Sequence, residues 1–285
     1  MKTRSLQHII PAIATSDGGG VRLRRSLGQN QNLRVDPFLM LDEFASNNPD
    51  DYLAGFPSHP HRGFETVTYL LDGVMLHQDH LGNSGNLQCG GAQWMTAGRG
   101  IIHSEMPQQQ NGRLHGFQLW INLPAREKMQ PARYQDIAPE QIPSLSFPDG
   151  GEIKLLAGRL EHHNKTVTGP VQTETTRILV LDVRLAAYGK FSQPLNPEHN
   201  VFIYPYYGEL EIGPAAQLRT LASQSAGVLS DGEQIEISTG KHTAGFLLLA
   251  GQPLREPVVQ YGPFVMNTQA EIEQTLNDYR NWQLV

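Results

Sequence analysis

The chain has 285 residues, with 22 Lys and Arg against 28 Asp and Glu and a net charge of −6. That mildly acidic balance, with no basic run longer than RLRR at 22–25, argues against direct nucleic-acid contact, which draws on clustered cations. The single cysteine, Cys89, excludes an intramolecular disulfide, and no stretch approaches the roughly 18 apolar residues of a membrane span, so a cytoplasmic chain with no membrane contact is expected.

In chain order, the opening MKTRSLQHIIPAIATSDGGG has no uninterrupted apolar core and does not read as a secretory signal. Strand patterns follow at 67–71, where an Asp72-Gly73 hairpin signal leads into 74–76, then at 93–95 and 116–123. A short helix is expected within 124–129, and the proline-bearing stretch 139–151 reads as a linker. Beyond it, strands are expected at 154–157, 178–185, 201–204, 209–212, 234–237 and 246–250. Near the C-terminus, Thr268 and Glu271 form a capping box, and Ile272, Leu276 and Tyr279 then share one helical face. Many short strands broken by turns predict an all-β sandwich or barrel architecture.

A weak internal repeat adds a second level of order. VTYLLDGVM near 70 resembles VFIYPYYGELEI near 205, GGAQWMT resembles DGEQIEIST, and HGFQLWINLP resembles AGFLLLAGQP, in the same order each time. Repeated units in the same order predict two similar β-domains in tandem.

Two histidine pairs stand out. In GFPSHPHRGFETV, His59 and His61 flank a proline; in TAGRGIIHSEMP, His103 and Glu105 are again two apart. In extended chain, residues i and i+2 point to one side, so each segment aims two donors together. Three imidazoles and a carboxylate suit a divalent first-row metal, and four protein ligands leave two positions open if the ion is octahedral. A lone H-x-H is as readily a pair of surface loop histidines; the two pairs together favour a metal centre. His77, His80 and His115 are candidates for supporting hydrogen bonds, while His162, His163, His199 and His242 lack a paired partner. Cys89, beside glycines, reads as a small packing residue.

HPHRGFETVTYLLDG and TAGRGIIHSE resemble the two motifs of the cupin superfamily, and with DPFLMLDEF, QWMT, FQLWINLP and PLREPVVQYGPFVMNT the chain resembles the pirin family from about residue 36 to 282. It departs from the general cupin pattern in three places: seven residues separate Glu65 from Gly73, Gly98 replaces a proline, and Glu105 rather than Glu65 completes the ligand set. The resemblance implies two tandem cupin barrels with a short C-terminal helix. The metal-binding barrel is expected at 1–138, and at 152–285 a second barrel whose SQPLNPEHN offers no ligand pair. It implies metal on His59, His61, His103 and Glu105, most naturally Fe(II)/Fe(III), with Ni, Cu, Mn, Co or Zn compatible with the donors. Such proteins act as quercetin 2,3-dioxygenases, opening a flavonol with O2 and releasing carbon monoxide, with Glu105 as the catalytic proton acceptor; Phe64 and Trp94 are expected as aromatic wall. The alternative activity is that of a metal- or redox-dependent regulator of a protein partner, and a monomer is expected.

Overall fold

The computed structural model describes residues 1–147, 150–162 and 165–285. Its described residues are mostly strand, with one α-helix, and they divide into two compact units. One unit comprises Ile13–Arg34, Phe38–Glu140 and Leu254–Val285; the other comprises Met1–Ala12, Val35–Pro37 and Gln141–Pro253.

In the first unit a seven-stranded sheet runs Arg133–Ile137, Ala92–Thr96, Phe64–Asp72, Leu114–Asn122, Phe38–Ser46, Val21–Arg25, Ile13–Asp17. A four-stranded sheet runs Phe56–His61, Ile101–Pro107, Val74–Asp79, Ser84–Gln88. The sequence pattern explains the layering. The central strand Leu114–Asn122 (LHGFQLWIN) is almost wholly buried, whereas Val21–Arg25 alternates Val21 and Leu23 inward with Arg22 and Arg24 outward. Val21, Leu23, Phe44, Leu70, Met75 and Leu87 pack as one cluster, joining side chains from both sheets.

The second unit repeats the plan. Its seven-stranded sheet runs Leu6–Pro11, Ser225–Leu229, Asn200–Tyr207, Ala244–Gly251, Leu179–Leu185, Glu152–Ala157, Ser144–Ser146, and its four-stranded sheet runs Lys190–Pro194, Gln234–Ser238, Glu209–Ile212, Arg219–Ala222. Leu181, Val183, Phe191, Ile203, Leu210, Ile235, Phe246 and Leu248 lie in one apolar core. The two strand orders correspond position by position, so the all-β, two-barrel architecture expected from the repeat is present.

Four local expectations differ. The contiguous division at 1–138 and 152–285 does not match the compact units at the chain ends. Leu6–Pro11 pairs antiparallel with Ser225–Leu229 and fills, in the second barrel, the edge that Arg133–Ile137 fills in the first. A lone strand carries no sequence mark of the sheet edge it will join. The Asp72-Gly73 signal makes a corner, not a hairpin: Phe64–Asp72 lies in the seven-stranded sheet and Val74–Asp79 in the other. Gly73 has φ +99°, and a Cβ there would meet Gln109 Nε2 at 2.5 Å and Leu114 Cδ1 at 2.7 Å, so the turn needs glycine for sign and for space. The expected helix at 124–129 shrinks to a single 3₁₀ turn, Ala125–Glu127, whose N-cap Pro124 makes no side-chain cap bond. The stretch 139–151 is not a free linker: Ser144–Ser146 pairs with Glu152–Ala157, while residues 148 and 149 lie outside the described residues.

The C-terminal helix, Gln269–Arg280, starts as expected. Glu271 N–H donates to Thr268 Oγ1 at 3.2 Å and Thr268 N–H donates to Glu271 Oε2 at 2.8 Å. Ile272 is buried with Phe264, Met266 and Leu284; Leu276 is half-buried; Tyr279 is exposed but keeps an edge contact with Phe264 at 6.0 Å.

Candidate metal centre

The cluster is built by two neighbouring strands of the four-stranded sheet. Phe56–His61 and Ile101–Pro107 pair antiparallel, with His103 opposite His59 and Ile101 opposite His61. Pro60, between the two histidines, holds its predecessor extended, so both rings leave on one side. Before the second strand, a turn at 97–100 closes by a Gly100 N–H to Ala97 carbonyl bond of 3.0 Å, with Gly98 at φ +52°.

The three imidazoles converge: ligand nitrogens of His59, His61 and His103 lie within 4.8 Å of one another. His59 Nδ1 donates to the Pro57 carbonyl at 2.8 Å, which fixes the tautomer and leaves a lone pair on Nε2. That Nε2 lies 3.0 Å from His61 Nε2. His103 Nε2 is buried without a hydrogen-bond partner among the described residues. Two nitrogens so placed have the separation left between adjacent metal–nitrogen bonds of about 2.1 Å. Burial first, and then the charge of the neighbouring rings, hold His61 and His103 well below the ordinary imidazole pKa, although the Pro263 backbone opposes this for His61. Neutral imidazole is the form that ligates a metal. These residues therefore fit a metal ion.

Glu105 departs from its expected place. It is buried and lines the same cavity, yet its oxygens lie outside the three-nitrogen cluster. The physical reason is local. The register shifts between His103 and Glu105, putting Glu105 opposite Phe56, and Thr68 Oγ1 donates to Glu105 Oε1 at 2.6 Å while Gln118 Nε2 donates to Oε2 at 3.5 Å.

Of the supporting histidines, only His77 touches a ring of the cluster. Its Nδ1 is 3.4 Å from His103 Nδ1, its Nε2 is 3.5 Å from Asp79 Oδ2, and its ring stacks on Tyr134 at 4.1 Å. His80 accepts from the Ile102 N–H, and His115 pairs with Glu43 at 2.8 Å. Glu65 is outside the cavity lining; its Oε1 accepts from Thr96 at 2.7 Å and burial raises its pKa. In the second barrel, His162 contacts Gln193, His199 is buried and His163 lies outside the described residues. Cys89 is exposed.

A cavity of about 550 Å³ opens on the cluster, within the range of small-molecule sites. His59, His61, Glu105, Gln118, Met40 and Trp120 line part of it. Arg25 and Asp42 form a bidentate pair in its wall, at 2.8 and 2.7 Å. The aromatic wall differs from expectation. Neither expected residue lines the cavity: Phe64 is buried in the core and packs against His61 at 5.0 Å, and Trp94 hydrogen-bonds Glu65. Trp120 is the wall residue that sequence reasoning missed: it packs on Phe64 at 4.3 Å and His61 at 5.3 Å, and its Nε1–H has no acceptor among the described residues. Its signal was the period-two spacing with Gln118, which places both on one face of Leu114–Asn122.

Residues 20–121 match the family description "Pirin", and residues 180–285 match "Pirin C-terminal cupin domain". The chain belongs to the pirin family. It is 50% identical over 267 residues to a Pseudomonas aeruginosa protein provisionally named a quercetin 2,3-dioxygenase, covering 93% of each chain. It is 43% identical over 268 residues to human pirin, covering 93% of this chain and 89% of that one. A crystal structure of quercetin 2,3-dioxygenase from Acinetobacter baumannii superposes with a TM-score of 0.89 at 30% identity, covering 99% of this chain and 98% of the other. As a pirin, the chain has two cupin barrels and a histidine cluster able to hold a metal.

Within that family plan the two barrels part ways at the ligand positions. Gln193 pairs with Ile235 in the second barrel as His59 pairs with His103 in the first. Stepping two residues along each strand puts Leu195 at the position of His61 and Ile237 at that of Glu105. Leu195, Ile235 and Ile237 belong to the apolar core and carry no donor atom.

Proposed function

We propose that this pirin is a metal-dependent dioxygenase of the quercetin 2,3-dioxygenase type, taking a flavonol-like substrate and O2. The observation that carries the reading is the convergence of three imidazoles, two of which, His59 and His61, line a cavity of about 550 Å³. His59, His61 and His103 would hold the ion, with Glu105 beside them on the cavity wall; iron is the metal we take from the family resemblance. When bound, the metal supplies Lewis acidity toward the flavonol hydroxyl and redox access for O2.

The chain's own residues supply the rest. Glu105 accepts the proton of the flavonol 3-hydroxyl, and Thr68 and Gln118 fix the direction from which it does so. His77 supports the His103 ring from the side away from His59. Trp120 offers a flat apolar face and an unsatisfied indole N–H, which suits a planar ligand carrying oxygen atoms.

The test is direct. Protein loaded with Fe(II) should bleach the quercetin absorption band, consume one O2 per flavonol and release carbon monoxide. His59→Ala and Glu105→Ala should each lower turnover at least ~100-fold, the scale on which a positioned proton acceptor acts. A loaded, folded protein that consumes no O2 with quercetin would refute the reading.

A further inference from the structure

The second barrel has its own cavity, of about 490 Å³, at its counterpart of the metal centre. Gln193 and Leu195, which stand where His59 and His61 stand in the first barrel, are in its wall. The metal donors are gone, but the wall has acquired a different chemistry. Arg159, Arg177 and His199 line the cavity together with the side-chain amides of Gln172, Gln193 and Asn196.

Three observations say what that wall can hold. First, the cationic groups outnumber the acidic ones. Glu161 is the one carboxylate of the lining; it is 73% exposed and meets Arg159 only at 3.5 Å. Second, His199 is nine-tenths buried and its Nε2 has no hydrogen-bond partner among the described residues. Burial first, then the positive charges of Arg4 and Arg177, push His199 down to about 4 against a small opposing pull from Glu198. Burial alone would disfavour a charge of either sign, so it is the Arg4 and Arg177 part of this effect that favours an anion in the same place. Third, Arg177 has φ +44°. This conformation is unfavourable for a side chain of its size and is held by a turn in which Arg177 N–H donates to the Thr173 carbonyl and Ile178 N–H to Thr173 Oγ1. The turn holds Arg177 in the cavity lining.

We propose that the second barrel is a binding site for a small oxyanion, a carboxylate or phosphate group held by Arg159 and Arg177 with His199 and the Asn196 amide completing its shell; the Gln172 and Gln193 amides already donate to backbone carbonyls and shape the wall. Guanidinium groups suit such ligands because their N–H fork matches two oxygens at once. The barrel thus keeps its mouth as a ligand site while its centre has become apolar core.

The experiment uses the full chain in a chloride buffer, titrated with inorganic phosphate and separately with malonate, followed by calorimetry and by backbone amide shifts. The expected result is saturable binding of at least one probe, with the shifted amides at 158–161, 172–179 and 193–199. Arg177→Gln should weaken that binding tenfold or more, and His61→Ala should leave it unchanged. Arg159→Gln, whose side chain is 63% exposed and so bears little on folding, should weaken it in the same direction should Arg177→Gln not fold. Absence of saturation by both probes, undiminished binding in the arginine variants, or loss of binding in His61→Ala would each overturn the proposal.

Discussion

At the residue scale, the centre depends on side chains whose hydrogen bonds leave something over. His103 Nε2 and Trp120 Nε1 are buried polar atoms without partners among the described residues, an arrangement that costs about 1–3 kcal/mol each unless a ligand completes it. Trp120→Phe keeps the ring and removes the donor. It should lower kcat/KM for a flavonol about tenfold, mainly through KM, while metal content stays unchanged. The imidazoles carry a pH signature. Because His61 and His103 are held below the ordinary value in the fold, the unfolded chain binds more protons once the pH falls through about 6.5. Their contribution to the stability of metal-free protein is therefore present above that pH and lost below it, and a urea titration at pH 7.5 and at pH 5.5 should show the midpoint dropping. A different economy operates at Lys128. Its buried Nζ donates to the Gly63 carbonyl at 2.7 Å, Asn122 Oδ1 at 2.6 Å and the Val265 carbonyl at 3.0 Å, three donors meeting three acceptors. Lys128→Met leaves those oxygens dry and unpaired, and should cost about 2–4 kcal/mol of unfolding free energy in the same assay.

At the scale of elements, the C-terminal helix acts on the metal strand through one arginine. Arg62, next in sequence to His61, is buried and donates to Asp278 Oδ2 at 2.6 Å, to Thr275 Oγ1 and the Leu284 carbonyl at 3.3 Å, and to the Arg99 carbonyl. Burial alone would raise Asp278, but the Arg62 and Gln274 hydrogen bonds and the Arg62 charge outweigh it and hold the carboxyl below its ordinary value. Arg62→Ala should destabilise by about 2–4 kcal/mol and also weaken metal retention, because it frees the strand that carries His59 and His61. An effect on the melting temperature with full metal retention would argue against that coupling. Elements also mark the limits of sequence reading. The alternation of His59 with His61 and of His103 with Glu105 survives in the structure because i, i+2 geometry belongs to any extended chain. The shift that turns Glu105 toward Thr68 and Gln118 does not show, since a bulge depends on the partner strand. Likewise Asp72-Gly73 marks a turn correctly but leaves open whether the next strand stays in the same sheet.

At the scale of the whole molecule, two copies of one barrel plan have kept the strand order and exchanged the chemistry at their centres. The weak repeat in the sequence carries this much, since VTYLLDG and YPYYGEL mark the same corner in each barrel, at Gly73 and Gly208, both with positive φ. It could not reveal that Leu6–Pro11 completes the second barrel, because its counterpart in the first barrel, Arg133–Ile137, follows that barrel's other sheet strands whereas Leu6–Pro11 precedes all of its own, with its partner more than 200 residues away in the chain. Removing residues 1–12 should therefore expose the edge of Ser225–Leu229 and destabilise the second barrel first. Limited proteolysis should cut within 141–253 before it cuts within 38–140; the reverse order would contradict the assignment of that strand. The family relationship places the pirin fold beyond dispute at these identities, and the proposal of iron and a flavonol is drawn from that same resemblance, with the histidine cluster and the cavity able to accommodate both.

The most direct measurement is an anomalous difference map from crystals of the iron-loaded protein, collected on both sides of the metal absorption edge. The account predicts one peak in the first barrel, within bonding distance of His59, His61 and His103 nitrogens, and none at Gln193, Leu195, Ile235 and Ile237. A loaded protein whose ion lies elsewhere, or whose three imidazoles do not bond to it, would contradict it.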